Sequence, residues 1–379
     1  MRICYIIDFF VPHYQGGGER RLYEIAKRMV KKGHDVDVLC MKIKNVPDYE
    51  NIDGINVYHI GPTIKNPPYR SPLDFLKFII AVFKWLMKNR YDVVDAQAFI
   101  PLVPASLCYI FRIQKNVIGT IHDVSQKKDK SQWLYYGNIA YFIEKFLYKL
   151  PFKKIITVSN IIKNILNEQY GIPNNKIYVV YNGVDLNLID SIKVEDVDTN
   201  SIIFVGRLIP HKHVDDLIKA VSLIVKDIPE VKLKIIGDGI VRGELETLVK
   251  ELKLENNVKF FGKLDDYKDV IREIKKSEVL VLPSTREGFG MVLVEANACY
   301  KPVIAYKSGG VIEVIDNNCN GFLMEERNIY ELSEKIKFLL KNKNIAKEMG
   351  KCGRKKVERM FVWDRVVEEI EKVYKVHQN

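Results

Sequence analysis

The chain is as informative in what it lacks as in what it has. It has no Cys-x-x-Cys pair: Cys4, Cys40, Cys108, Cys299, Cys319 and Cys352 are scattered along 379 residues. Scattered thiols argue against a cysteine zinc site or a disulfide framework and for a reducing compartment. No long hydrophobic run is present either. The longest apolar stretch, 75–87, is broken by Lys77 and Lys84 and is too short to span a bilayer. The opening residues read as a strand and lack a small-residue cleavage site, so no signal peptide is expected. Internal repeats and low-complexity tracts are absent. These absences together predict a soluble cytoplasmic protein.

What is present is a chain of 47% hydrophobic and 28% charged residues, long enough for two cores. Its net charge of +11 is unevenly placed. Residues 1–190 carry 26 Lys and Arg against 17 Asp and Glu, a net +9, while 191–379 carry 33 against 31, a net +2. A basic half suits an anionic partner, whether nucleic acid, anionic membrane or a phosphate-bearing substrate; lysine used only as a solubiliser gives the same excess.

Apolar runs alternate with segments of helical periodicity. A first strand, 2–9, is followed by Gly16-Gly17-Gly18-Glu19-Arg20-Arg21 and a helix with Leu22, Ile25, Ala26 and Met29 on one face. Gly33 ends that helix, and strands are expected at 35–40, 55–60, 92–95, 116–121, 154–158 and 177–180. A polar, acidic stretch at 187–200 reads as a linker. The pattern then restarts, with strands at 202–205, 231–236, 257–260, 278–282 and 302–305 separated by helix-length segments. Such alternation predicts α/β architecture, two Rossmann-like domains of parallel strands with ligands at the carboxyl ends of the strands. The expected domains are 1–186 with a returning helix at about 361–379, and 201–360.

The most telling stretch is Ser284-Thr285-Arg286-Glu287-Gly288-Phe289-Gly290-Met291-Val292-Leu293-Val294-Glu295. A Gly-rich turn leading from a strand into a helix offers free backbone N–H groups and the positive end of the helix dipole, which suits phosphate. Two carboxylates, Glu287 and Glu295, stand eight positions apart. This layout resembles the Glu-x7-Glu signature of retaining nucleotide-sugar glycosyltransferases of the GT-B fold (glycosyltransferase family four, the group 1 glycosyltransferases). Phe204-Val205-Gly206-Arg207-Leu208-Ile209-Pro210-His211-Lys212 resembles the segment in which that family sets an Arg and a Lys on the donor diphosphate. A P-loop fits less well, because His211 and His213 stand where its second Gly and its Ser/Thr would be. Further likenesses are the glycine loop at 16–18, Gly119-Thr120-Ile121-His122, Asn182-Gly183-Val184-Asp185, Ile236-Gly237-Asp238-Gly239, Ser308-Gly309-Gly310 and Asn320-Gly321-Phe322-Leu323. They span nearly the whole chain.

The resemblance implies roles residue by residue. Arg207 and Lys212 would bind the diphosphate, helped by backbone amides around Gly16-Gly17 and Gly288-Phe289-Gly290. Glu295 would accept from ribose hydroxyls, Glu287 would stabilise the reacting sugar, and His122 would contact it. The base would rest near Lys263-Leu264. Transfer would retain the anomeric configuration. Glu287 as nucleophile and a same-face attack guided by the leaving phosphate are both open, and the same-face route is favoured because no second carboxylate is placed as a general acid/base. No cofactor and no metal are implied, since fixed cations would carry the developing charge.

For the acceptor, a saccharide or a lipid-linked saccharide, two segments bear on a membrane reading. Residues 75–87 form a helix apolar almost all round, for which burial in the core is the favoured reading. Residues 127–154 mix seven lysines (127, 128, 130, 145, 149, 153 and 154) with aromatics that include Trp133, Phe146 and Tyr148, a combination that suits either the cytoplasmic face of an anionic membrane or a core helix over the first sheet with its lysines turned outward. The rival readings are an epimerase or phosphorylase of the same fold and a basic nucleic-acid-binding protein. The latter lacks any recognisable binding module.

Overall fold

The computed structural model describes residues 1–14, 16–124 and 137–375. They divide into two compact units. The first holds 1–124, 137–182 and 363–375 of these residues, and the second holds Gly183–Val362.

The first unit is wound around one sheet of eight strands. They are β1 (Arg2–Ile6), β2 (Asp35–Ile43), β3 (Tyr49–Ile52), β4 (Ile55–Ile64), β5 (Val93–Gln97), β6 (Val117–Ile121), β7 (Lys154–Thr157) and β8 (Ile177–Val179). Their order is β3-β4-β2-β1-β5-β6-β7-β8, and all run parallel except β3, which pairs antiparallel with β4. Parallel neighbours need long crossovers, and the helix-period segments supply them. The helix Gly17–Lys31 buries Leu22, Ile25, Ala26 and Met29, the face its periodicity predicts. Central strands such as β5 and β6 are buried at every residue, as parallel strands covered on both faces must be.

β3 is an addition to the predicted strands. The turn between β3 and β4 is Asp53-Gly54, with φ of 53° and 86°. Two central residues at positive φ fit a type I′ hairpin, and Asp-Gly is among its preferred sequences. That dipeptide was the available signal.

Two expectations are corrected here, and a third lies partly outside the described residues. The apolar segment at 75–87 is not enclosed: its helix, Pro72–Lys88, buries Phe78, Val82 and Leu86. Leu73, Leu76, Ile80 and Met87 are exposed, at 45% to 56%, on a face that also carries Lys77, Lys84 and Lys88. Spacings of three and four residues keep them together. The mixed stretch 127–154 is only partly described, because 125–136 lie outside the described residues. Of its remainder, Tyr148 is interior and donates to the Asp123 carbonyl, and Lys154 is buried and donates to the Val373 carbonyl. Ile143 and Phe146 are exposed, at 49% and 63%, and so is Lys149. Finally, Cys319 and Cys352 are joined by a disulfide across 33 residues. Their spacing in sequence says nothing of this, since it takes the fold to bring a turn and a helix together.

The second unit has six parallel strands: β9 (Ser201–Val205), β10 (Lys232–Ile236), β11 (Val258–Gly262), β12 (Val279–Leu282), β13 (Val303–Tyr306) and β14 (Gly321–Met324). Their order is β11-β10-β9-β12-β13-β14. Renumbered within the unit this is 3-2-1-4-5-6, the doubly wound order, whose direction reverses between β9 and β12. The helices Val214–Ile224, Arg242–Glu251, Tyr267–Lys276 and Met291–Ala298 fill the helix-length segments between the predicted strands. The polar segment after Asp185 begins with a short helix, Leu186–Ser191, whose Ile189 is buried.

Candidate functional site

Crossovers leave a doubly wound sheet in opposite directions at its switch point, so the turns after the two flanking strands open a crevice there. In the second unit those turns follow β9 and β12. The first carries Arg207 and the short helix Pro210–Lys212; the second carries Ser284 to Gly290. Backbone and side-chain bonds stitch them together. The Thr285 N–H donates to the His211 carbonyl at 3.0 Å, and the Ser284 hydroxyl donates to the same oxygen at 3.2 Å. Lys212 and Glu287 then meet as an ion pair, both largely enclosed.

A third turn buttresses Glu287. The Gly310 N–H donates to the Glu287 carbonyl at 2.9 Å, and the Ser308 hydroxyl donates to the Ser284 carbonyl at 2.6 Å. Gly309 has φ of 49°, and a Cβ there would stand 1.8 Å from the Glu287 carbonyl oxygen. Only glycine allows this approach, which fixes the backbone from which the carboxylate projects. The helix Met291–Ala298 is capped by Gly290 and starts three residues after Gly288, so Glu295 lies little more than one turn into it. Glu295 is 7% exposed. Phe289 is an interior side chain whose ring meets Phe361 edge-on at 5.4 Å, leaving only its backbone for a ligand. Arg207 is exposed on its turn, and Leu264 is half-buried just past β11.

In the first unit the reversal falls between β1 and β5. Gly16 caps the helix that begins at Gly17, so the glycine pair stands at a helix N-terminus, where unpaired N–H groups collect. His122 follows β6 and contacts the Gln97 amide oxygen through Nε2 at 3.0 Å. Gln97 in turn donates to Asp95 at 2.8 Å, which leaves its oxygen as the acceptor and puts the proton of His122 on Nε2. Asp95 also accepts from Thr120 at 2.6 Å and from Tyr374 at 2.5 Å. Burial, and then the nearby Arg21 guanidinium, push the His122 imidazole down to about 3. His122 is therefore neutral at physiological pH, a hydrogen-bonding group and not a proton donor of the imidazolium kind. Arg21 is fully enclosed and donates to Asn182 at 2.6 Å. The sequence had marked His122 but not the relay Tyr374–Asp95–Gln97 behind it, because those residues are far apart in the chain.

The structure thus brings Lys212, Glu287 and the glycine turns together in the second unit, with Arg207, Glu295 and Leu264 in that same unit. Gly16, Gly17 and His122 belong to the first unit. Two family models divide the chain between them: "Glycosyltransferase Family 4" over residues 15–188 and "Glycosyl transferases group 1" over 187–356. The N-acetyl-alpha-D-glucosaminyl L-malate synthase of Bacillus anthracis is 30% identical over 372 residues, covering 93% of this chain and 91% of that protein. Among solved structures, the sucrose-phosphate synthase of Thermosynechococcus elongatus superposes with a TM-score of 0.86 at 21% identity, covering 99% of this chain and 98% of the other. The Anabaena protein HepE, in complex with UDP-glucose, gives 0.79 at 22%, covering 99% of this chain and all of its own. The chain belongs to the group 1 glycosyltransferases of family four and has their GT-B fold.

Proposed function

We propose that this glycosyltransferase moves a hexose-type sugar, with retention of anomeric configuration and without a metal, from a nucleoside diphosphate to a saccharide or lipid-linked acceptor. The observation that carries the reading is the Lys212–Glu287 ion pair at the switch point of the second sheet. A diphosphate leaving group gains negative charge as the glycosidic bond breaks. Lys212, already held in a largely enclosed turn, and Arg207 beside it would stabilise that charge with little reorganisation. Glu287 would lie against the electron-poor sugar, and Glu295 would take the ribose hydroxyls. Backbone amides at Gly288 to Gly290 and at Gly16-Gly17 would complete the donor cradle, with the base near Leu264. His122, neutral and held by Gln97, would bond a sugar hydroxyl.

Names of similar proteins support a nucleotide-sugar donor: HepE is described with UDP-glucose, and the Bacillus enzyme with an N-acetylglucosaminyl group. The exposed apolar and lysine-bearing face of helix Pro72–Lys88 supports an acceptor met at the cytoplasmic face of an anionic membrane. Among the described residues, no helix is long and apolar enough to cross a membrane.

The deciding experiment incubates the protein with UDP-, GDP- and ADP-sugars and candidate acceptors, with and without Mg2+ or Mn2+, and reads the product anomer by NMR. Retention with matching rates in both conditions is expected. An inverted anomer, a strict metal requirement, or an epimerised donor with no nucleoside diphosphate released would each overturn the reading.

A further inference from the structure

A second group of chemically active side chains lies in the first unit, apart from the residues assigned to the donor. His13 sits on the loop after β1, Glu50 on β3 and His59 on β4. In the hairpin register Glu50 faces Val57, so His59 is its diagonal neighbour on the same side of the ribbon. The Nε2 atoms of both histidines stand 2.8 Å from the same oxygen, Oε1 of Glu50. All three donor atoms lie within 4.8 Å of one another.

We propose that His13, Glu50 and His59 bind a divalent transition-metal ion, with zinc the best match, and that this ion ties the loop leading into Gly16-Gly17 to the edge hairpin. Two imidazoles and one carboxylate form a ligand set that zinc uses when it keeps a fourth position for water. Bond lengths of about 2.0–2.2 Å place tetrahedral ligand atoms roughly 3.3 Å apart. Seating an ion therefore opens each 2.8 Å contact by about half an ångström. His13 can follow because it belongs to no strand. His59 is 1% exposed, whereas the His13 and Glu50 side chains are 25% and 23% exposed, so the fourth position opens toward solvent.

The support behind the ligands is also present. When Nε2 of His59 binds metal, its proton resides on Nδ1, where the Met41 carbonyl at 3.4 Å and Cys40 Sγ at 3.3 Å can accept it. That contact holds the ring in its ligating orientation. Cys40 faces the far nitrogen and so is not itself a ligand. The hairpin is made by Asp53-Gly54 and the loop by the chain between β1 and its following helix, so one ion would cross-link elements far apart in sequence.

The test uses the full-length chain, stripped with a chelator and titrated with Zn2+ by calorimetry, with Co2+ as a spectroscopic probe. One ion per chain is expected, with the visible absorption of four-coordinate Co2+ and slower amide exchange across residues 9–14 on loading. His13→Ala, on a loop and so harmless to the core, should weaken binding on the order of 100-fold. Glu50→Gln should do the same, whereas His34→Ala, outside the cluster, should bind as wild type. Absence of stoichiometric uptake, or uptake unchanged in His13→Ala, would overturn the proposal and leave the triad as hydrogen bonds alone.

Discussion

Lys212 and Glu287 pair although 75 residues separate them, each on one of the two turns that flank the reversal of the second sheet. The pair holds a cation and a carboxylate ready in one place before any substrate arrives. In the proposed reaction a donor diphosphate would draw Lys212 toward itself and so change the surroundings of Glu287 at the same moment.

Lys212→Ala should lower turnover by roughly 10²–10³-fold, the usual effect of deleting one preorganised contact to developing charge. The variant should still fold, with a lowered melting temperature because Glu287 is left enclosed without its cation. Wild-type turnover by a folded variant would refute the assignment.

The two glutamates should separate kinetically. Glu295→Gln should raise KM with kcat little changed, since ribose contacts are alike in ground and transition states. Glu287→Gln should mainly lower kcat. Identical patterns in steady-state assays would abolish the division of roles.

His122 gives a pH prediction whose sign is fixed. Its ordinary value is 6.5 and burial takes it to about 3, so between those values the unfolded chain binds a proton that the folded one does not. Stability from this group is complete above about pH 6.5 and falls as pH drops toward 3. His122→Gln keeps a hydrogen-bonding group without the titration. Denaturant melts from pH 7 to 4 should show a shallower decline for the variant, and parallel curves would contradict the assignment.

The Cys319–Cys352 bond closes a 33-residue separation, which chain-entropy reasoning values at about 3–4 kcal/mol for the oxidised second unit. Cys352→Ser, or reductant applied to the wild type, should lower the melting temperature of that unit. Free-thiol counting before and after reduction tests whether the pair is closed in solution. Equal melting temperatures would remove its structural role.

Membrane docking, if it follows the exposed face of helix Pro72–Lys88, depends on two different forces. Each lysine near an anionic surface contributes about 1 kcal/mol and is screened by salt, while the leucine and isoleucine side chains are not. Co-sedimentation with anionic vesicles should be weakened by Lys77→Glu with Lys84→Glu, and by Ile80→Asp with Met87→Asp. Binding that persists in both double variants would place the contact elsewhere.

Much of the fold was legible because it rests on local periodicity. Leu22, Ile25, Ala26 and Met29 announce both a helix and its buried face, and apolar strands such as Val279–Leu282 and Val303–Tyr306 announce a covered parallel sheet. The switch-point turns were legible for a different reason: glycines and prolines punctuate them. What could not be read were relationships between distant segments. Tyr374 on Asp95 and Cys319 with Cys352 have no local signature. The exposure of Leu76 and Ile80 was misjudged because composition alone does not say which face of an apolar helix the sheet covers. Glu50 and His59 were missed with the hairpin that aligns them, although Asp53-Gly54 was there to mark it.

The contact of Tyr374 with Asp95, together with that of Lys154 with the Val373 carbonyl, has a consequence for biosynthesis. Emerging from the ribosome, residues 1–182 lack the segment that plugs their own sheet, and must wait while the whole second unit is made. The domain that starts first therefore finishes last. Until residue 374 is delivered, the carboxyl group of Asp95 lacks a partner that the folded protein supplies, and the growing chain is more exposed to proteases and chaperones than its domain order would suggest.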